Sequence, residues 1–176
     1  AYAASEQRGI HIGELNNLTS GAGNIFIAGH GNEQSTQCCS TGIYINEGTK
    51  ITATTGKIHI FGRSSGPSSA LYAEGIRMKG VAANGVDYVS ITNSSTATDA
   101  IVIVGDASAS QGARASGISG LSWVDRSSGG PKNLIANTSS GGITITGRGG
   151  QLAGSTADQT GSGLELNATA VLSKSG

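Results

Sequence analysis

The chain has 176 residues with 11 basic and 11 acidic side chains, and charged residues make up 12% of it, about half the ~25% usual for soluble proteins. That balance, without any basic run, excludes a general nucleic-acid binder or a chain held on an anionic membrane by charge. No apolar run approaches the ~18 residues a membrane helix needs, and no signal-peptide pattern opens the sequence.

In chain order, the first unit runs Gly9-Ile10-His11-Ile12, then Leu18-Thr19, then the stretch from Gly23 to Gly29 (GNIFIAG), and closes with a polar loop to Thr41. The second runs Gly42-Ile43-Tyr44-Ile45, Ile51-Thr52-Ala53, and Gly56 to Gly62 (GKIHIFG). The third opens at Gly75-Ile76-Arg77-Met78, passes Val89-Ser90-Ile91 and reaches Asp99 to Gly105 (DAIVIVG). The fourth opens at Gly117-Ile118, passes Leu134-Ile135-Ala136 and reaches Gly141 to Gly147 (GGITITG). A fifth begins at Gly163-Leu164-Glu165-Leu166 and continues through Val171-Leu172. Units one and two are in register, since 42 − 9 and 75 − 42 are both 33.

Each unit offers three short segments with apolar residues two apart, the period of a strand, and none with helical spacing. Glycine brackets the third segment, where the chain is expected to turn. Pro67 and Pro131 fall in expected loops, where a missing N–H costs nothing. No unit buries its apolar side alone, but stacked units do. The expected fold is all-β: a parallel β-helix, a solenoid of about five rungs with three short strands each, ~20–25 Å long at the usual strand separation. Residues 1–176 read as a single segment, with rungs starting near 9, 42, 75, 117 and 163. Inward columns are expected at Ile10/Ile43/Ile76/Ile118/Leu164 and Ile27/Ile60/Ile103/Ile145. His11, Tyr44, Arg77, Ser119 and Glu165 are expected to face solvent. The C-terminal rung carries no cap, so the chain reads as a piece of a longer filament.

The cadence GIYI…KITATTGKIHIFG, with GLELNATAVLSKSG later, resembles the repeats of filamentous haemagglutinin-like exoproteins of two-partner secretion, over roughly Gly9 to Gly176. The resemblance implies a right-handed β-helix, secreted through the outer membrane of a Gram-negative bacterium and displayed on its surface. It implies an adhesin, a virulence factor in cell adhesion, whose partners are a host-cell receptor or glycan, other bacterial cells, and an outer-membrane secretion partner. Neither nucleic acid nor membrane insertion is implied. The units here, at 33 residues or longer, depart from the repeats of about twenty found in many members.

Two alternatives stand beside the adhesive rod: the stalk of a contact-dependent growth inhibition exoprotein, and a carbohydrate-active lyase- or hydrolase-like β-helix. The last needs two carboxylates ~5–10 Å apart. The acids, among them Glu74, Asp99 and Glu165, do not recur at equivalent positions in successive units. Asp99 stands where other units use glycine, which favours a turn role. No catalytic residue, cofactor or metal site is therefore expected, and His11, His30 and His59 hold three different unit positions.

Cys38 and Cys39 leave three states open: two thiols, a vicinal disulfide, or pairing elsewhere. Four Asn-X-Ser/Thr sites, at Asn17, Asn93, Asn137 and Asn167, would serve as glycosylation points if they face outward. Units three and four carry insertions at 79–88 and 122–133. These hold Tyr88, Trp123, Arg126 and Lys132, of which the Trp, Tyr and Arg are types enriched at binding hot spots, and are the expected partner-contact surface.

Overall fold

The protein is represented by a computed structural model that describes residues 7–31, 39–66, 72–80, 88–111, 114–121, 133–150, 161–166 and 169–174. Alternation of Ile, Val and Leu with polar residues draws these stretches into strands, β-branched side chains being well suited to a pleated, half-buried surface. The first strand of each unit enters one five-stranded sheet: β1 (Gln7–Ile12), β4 (Cys39–Ile45), β7 (Tyr72–Lys79), β10 (Arg114–Leu121) and β13 (Leu164–Glu165). The second strands form another: β2 (Asn17–Ser20), β5 (Lys50–Ala53), β8 (Val89–Asn93), β11 (Asn133–Asn137) and β14 (Thr169–Ser173). The third sheet holds β3 (Ile25–His30), β6 (Ile58–Arg63), β9 (Ile101–Asp106) and β12 (Ile143–Arg148). Every pairing is parallel and joins equivalent strands of successive units, so the fold is a parallel β-helix of about five rungs.

The expected columns are the observed registers. Ile10 pairs with Ile43, Ile43 with Ile76, Ile76 with Ile118, and Ile118 with Leu164. Ile27, Ile60, Ile103 and Ile145 align in the third sheet, and Leu18, Ile51, Ile91, Ile135 and Val171 in the second. These side chains converge on one core, fully buried in the central rungs and partly open at the first, but Leu164 and Val171 of the last rung, expected inward by register, are exposed and outside it.

The glycine that ends each third-strand motif does not mark a turn, as the sequence suggested. Gly29, Gly62, Gly105 and Gly147 lie inside β3, β6, β9 and β12. A Cβ on Gly62 would stand 2.1 Å from the Gly75 carbonyl oxygen, and one on Gly105 only 2.0 Å from that of Gly117. Two glycine columns thus press the backbones of the first and third sheets together, a close approach that only glycine permits. The seam pinches the cross-section into a large isoleucine lobe and a small one lined by Ala73, Ala107 and Ala115. The small lobe also holds a buried serine ladder: Ser64 Oγ donates to the Ser40 carbonyl at 2.8 Å, and Ser110 Oγ to the Ser64 carbonyl at 2.9 Å.

Buried asparagines hold the corner between second and third strands. Asn93 Nδ2 donates to the carbonyls of Gly56 (2.8 Å) and Ala100 (3.1 Å), while its Oδ1 accepts from Ser95 N–H. One rung on, its register partner Asn137 donates to the Ser95 carbonyl at 3.1 Å and accepts from Ser139 N–H at 2.8 Å. Each side chain therefore closes its own turn and ties it to a neighbouring rung.

Candidate functional site

Two outer surfaces concentrate chemistry. On the third sheet the alternate positions left outside by the isoleucines form two adjacent columns: Phe26, His59, Val102 and Thr144, beside Ala28, Phe61, Val104 and Thr146. Phe26 is 67% exposed, its ring centroid 5.4 Å from that of Phe61, and the His59 ring meets Phe61 edge-on at 6.1 Å. Polar side chains border this strip on both sides. At one rim Lys57 Nζ lies 2.7 Å from the Asp99 carboxylate, and a His59 ring nitrogen lies 3.1 Å from the Asp99 carbonyl oxygen. The Lys57 hydrogen bond holds the Asp99 carboxyl below its ordinary pKa. Asp99 is thus a turn residue, as its glycine position suggested, that also anchors a neighbouring rung. At the other rim His30, Arg63, Asp106 and Arg148 share one register column, with His30 Nε2 3.0 Å from Ser65 Oγ. A hydrogen bond from Ser108 keeps the Asp106 carboxyl low, with Arg63 and Arg148 adding to the effect.

The outer side of the first sheet differs from expectation. His11, Tyr44, Arg77, Ser119 and Glu165 do share one column, but Tyr44 and Ser119 are buried rather than bathed in solvent. The seam draws this surface inward at Gly75, and side chains on either side of it close on one another. Glu74, only 2% exposed, accepts from Ser119 Oγ at 2.6 Å and from Arg77 at 3.4 Å. Around them guanidinium and phenol rings stack, with Arg8 4.1 Å from the Tyr44 centroid, Arg77 5.5 Å from it, and Arg114 5.7 Å from that of Tyr72. Burial raises the Glu74 pKa and the Glu165 charge adds to the rise, against the opposing pull of Arg77 and Ser119. His11 is shifted down, by desolvation and then by Arg8.

Of the residues singled out in the sequence, Tyr88 is exposed just before β8, whereas Trp123, Arg126 and Lys132 lie outside the described residues. Asn17 is exposed at the start of β2, and Asn167 lies outside the described residues. Asn93 and Asn137 are corrected as glycan acceptors on the folded chain: both amides are buried and already bonded across the corner. Cys39 is disulfide-bonded and buried; Cys38 lies outside the described residues. Among the described residues no group of three or more His, Cys, Asp or Glu is placed to hold a metal ion. The aromatic strip and the Glu74 cluster were not expected as sites. The signal for the strip was present in Phe26, His59 and Phe61, the large side chains that alternate with the isoleucines of units one and two.

No protein family, curated protein or solved structure matches the chain.

Proposed function

We propose that this chain is an adhesive and structural segment of a secreted bacterial surface protein of the filamentous haemagglutinin type, a rigid rod that displays contact surfaces to host cells or to other bacteria. The observation that supports this reading is the unbroken register of three parallel sheets, which carries an exposed aromatic strip on a backbone with little freedom to deform. Recognition on a rigid element loses less conformational entropy on binding than recognition on a loop. Beads coated with the purified segment are expected to attach to epithelial cells or to bacterial cells, and soluble segment to compete. Attachment no better than with bare beads on both surfaces overturns the reading.

A carbohydrate-active role is the second reading, and one observation favours it. Glu74 is a buried carboxyl whose pKa is raised by that burial, the environment in which glycoside chemistry keeps its proton-donating acid. Burial of Glu74 under Arg77 and Ser119 favours a structural acid instead. Polysaccharide panels incubated with the segment, with and without divalent cations, are expected to stay intact. Release of reducing or unsaturated ends, lost in Glu74→Gln, would give the second reading precedence.

A further inference from the structure

We propose that the outer strip of the third sheet binds a neutral polysaccharide, a strand of hexopyranose rings lying along the rod axis and stacked on Phe26 and Phe61. The inference rests on the adhesive reading and names the ligand class of one surface.

The dimensions select the occupant. Two outward positions on one strand are ~7 Å apart, and four rungs at ~4.8 Å spacing span ~14 Å between the first and last. The resulting area is far below the ~800 Å² that each partner contributes to a standard protein interface. It does match a polymer one sugar ring wide. Pyranose rings turn C–H groups to either side, and the negatively polarised face of an aromatic ring attracts such groups. Phe26 is largely exposed beside Phe61, and the next rung continues the track with Val102 and Val104.

The rims supply the other half of the recognition. Sugar hydroxyls both donate and accept, so a site for them needs carboxylates beside cationic or amide donors. Asp99 with Lys57 stands on one side of the strip, and Asp106 between Arg63 and Arg148 on the other. Lys57, Arg63 and Arg148 stand against Asp99 and Asp106, so the rims together keep a single net positive charge, too little to be the main draw for a polyanion. That balance points to a neutral glycan. The hydrogen bond between His59 and the Asp99 carbonyl, and the ion pair beside it, hold the rim in place before any ligand arrives.

The test uses the whole chain against particles of cellulose, chitin, starch and β-1,3-glucan, with soluble hexasaccharides of each. Retention on at least one is expected, with amide shifts in NMR spectra confined to β3, β6, β9 and their rims. Phe26→Ala is expected to weaken binding about tenfold with an unchanged melting temperature, because Phe26 is exposed, while Phe26→Tyr keeps it. Retention is expected to change little between about 50 and 500 mM salt. Failure to bind any of the four polymers, full binding by Phe26→Ala, or shifts elsewhere on the rod overturns the inference, as does binding only to anionic glycans or to proteins. The two proposals fail separately. Cell attachment untouched by Phe26→Ala leaves the adhesive reading standing without this site. Glycan binding without cell attachment leaves the site standing without that reading.

Discussion

Asn93 gives the sharpest test of how the corners hold the rungs together. Its buried amide serves three backbone groups from two connections, the Gly56 carbonyl before β6 and the Ala100 carbonyl and Ser95 N–H before β9. In Asn93→Ala the Ala100 carbonyl keeps its bond from Ile58 N–H at 2.9 Å, but Gly56 O and Ser95 N–H lose these Asn93 partners. Two buried groups left unsatisfied at roughly 1–3 kcal/mol each, eased by water entering the vacated space, give an expected loss of about 3 kcal/mol. Asn93→Asp has nearly the same shape but sets an oxygen against two carbonyl oxygens and places a charge in a buried corner, so it is expected to cost more than Ala at neutral pH. Urea titration followed by circular dichroism reads both, with Asn17→Ala, at an exposed edge, as a control expected within about 0.5 kcal/mol. Asp milder than Ala, or Ala within about 1 kcal/mol of the parent, would refute the reasoning.

In the same titration Ile60→Ala, which empties a buried central position, is expected to cost about 2–5 kcal/mol. Outward Val102→Thr is expected to stay within about 0.5 kcal/mol, and His59→Ser to cost about 1 kcal/mol for its bond to the Asp99 carbonyl; an outward change that exceeds Ile60→Ala would reverse the assigned faces. Gly105→Ala, forced against the Gly117 carbonyl, is expected to destabilise by roughly 3 kcal/mol or more, and a neutral result would remove the seam from the account. Glu74 is a carboxyl whose folded pKa is raised, so above its unfolded value, 4.5, the folded state binds the extra proton. Stability should therefore fall as pH rises from 4.5 toward the folded pKa, and melting temperatures of Glu74→Gln should lack that decline; a parent profile equally flat would count against the buried acid.

The isoleucine columns were legible because a strict two-residue alternation recurs at equivalent places in every unit, and burial leaves few other ways to stack them. The glycines were misread for a physical reason: a turn and a close backbone approach both demand the absence of Cβ, and sequence alone does not separate them. Asn93 and Asn137 posed the same ambiguity. An acceptor site and an Asx turn share Asn followed two residues later by Ser or Thr, yet both asparagines end a second strand, where a corner must be held. Tyr44 and Arg77 were assigned to solvent by alternation, which fixes the side of a strand but not whether that side is concave. The exposed Phe26 was visible as an outward position, but its value depends on Phe61 leaning toward it from the next rung.

The glycine seam also bears on how the rod answers to force. Where two sheets meet backbone to backbone, no side chain is present to slide or change rotamer, so there is little compliance between a rung and its neighbours. Tension on the end of the rod should then be borne until one whole turn detaches, rather than being relieved by gradual stretching. Each release of a 33-residue turn, the spacing from Gly42 to Gly75, would free roughly 110–120 Å of chain at ~3.3–3.6 Å per residue. The 42-residue turn from Gly75 to Gly117 would free proportionately more, roughly 140–150 Å. A solenoid built this way would lengthen in discrete increments whose sizes are written in the distances between its glycines.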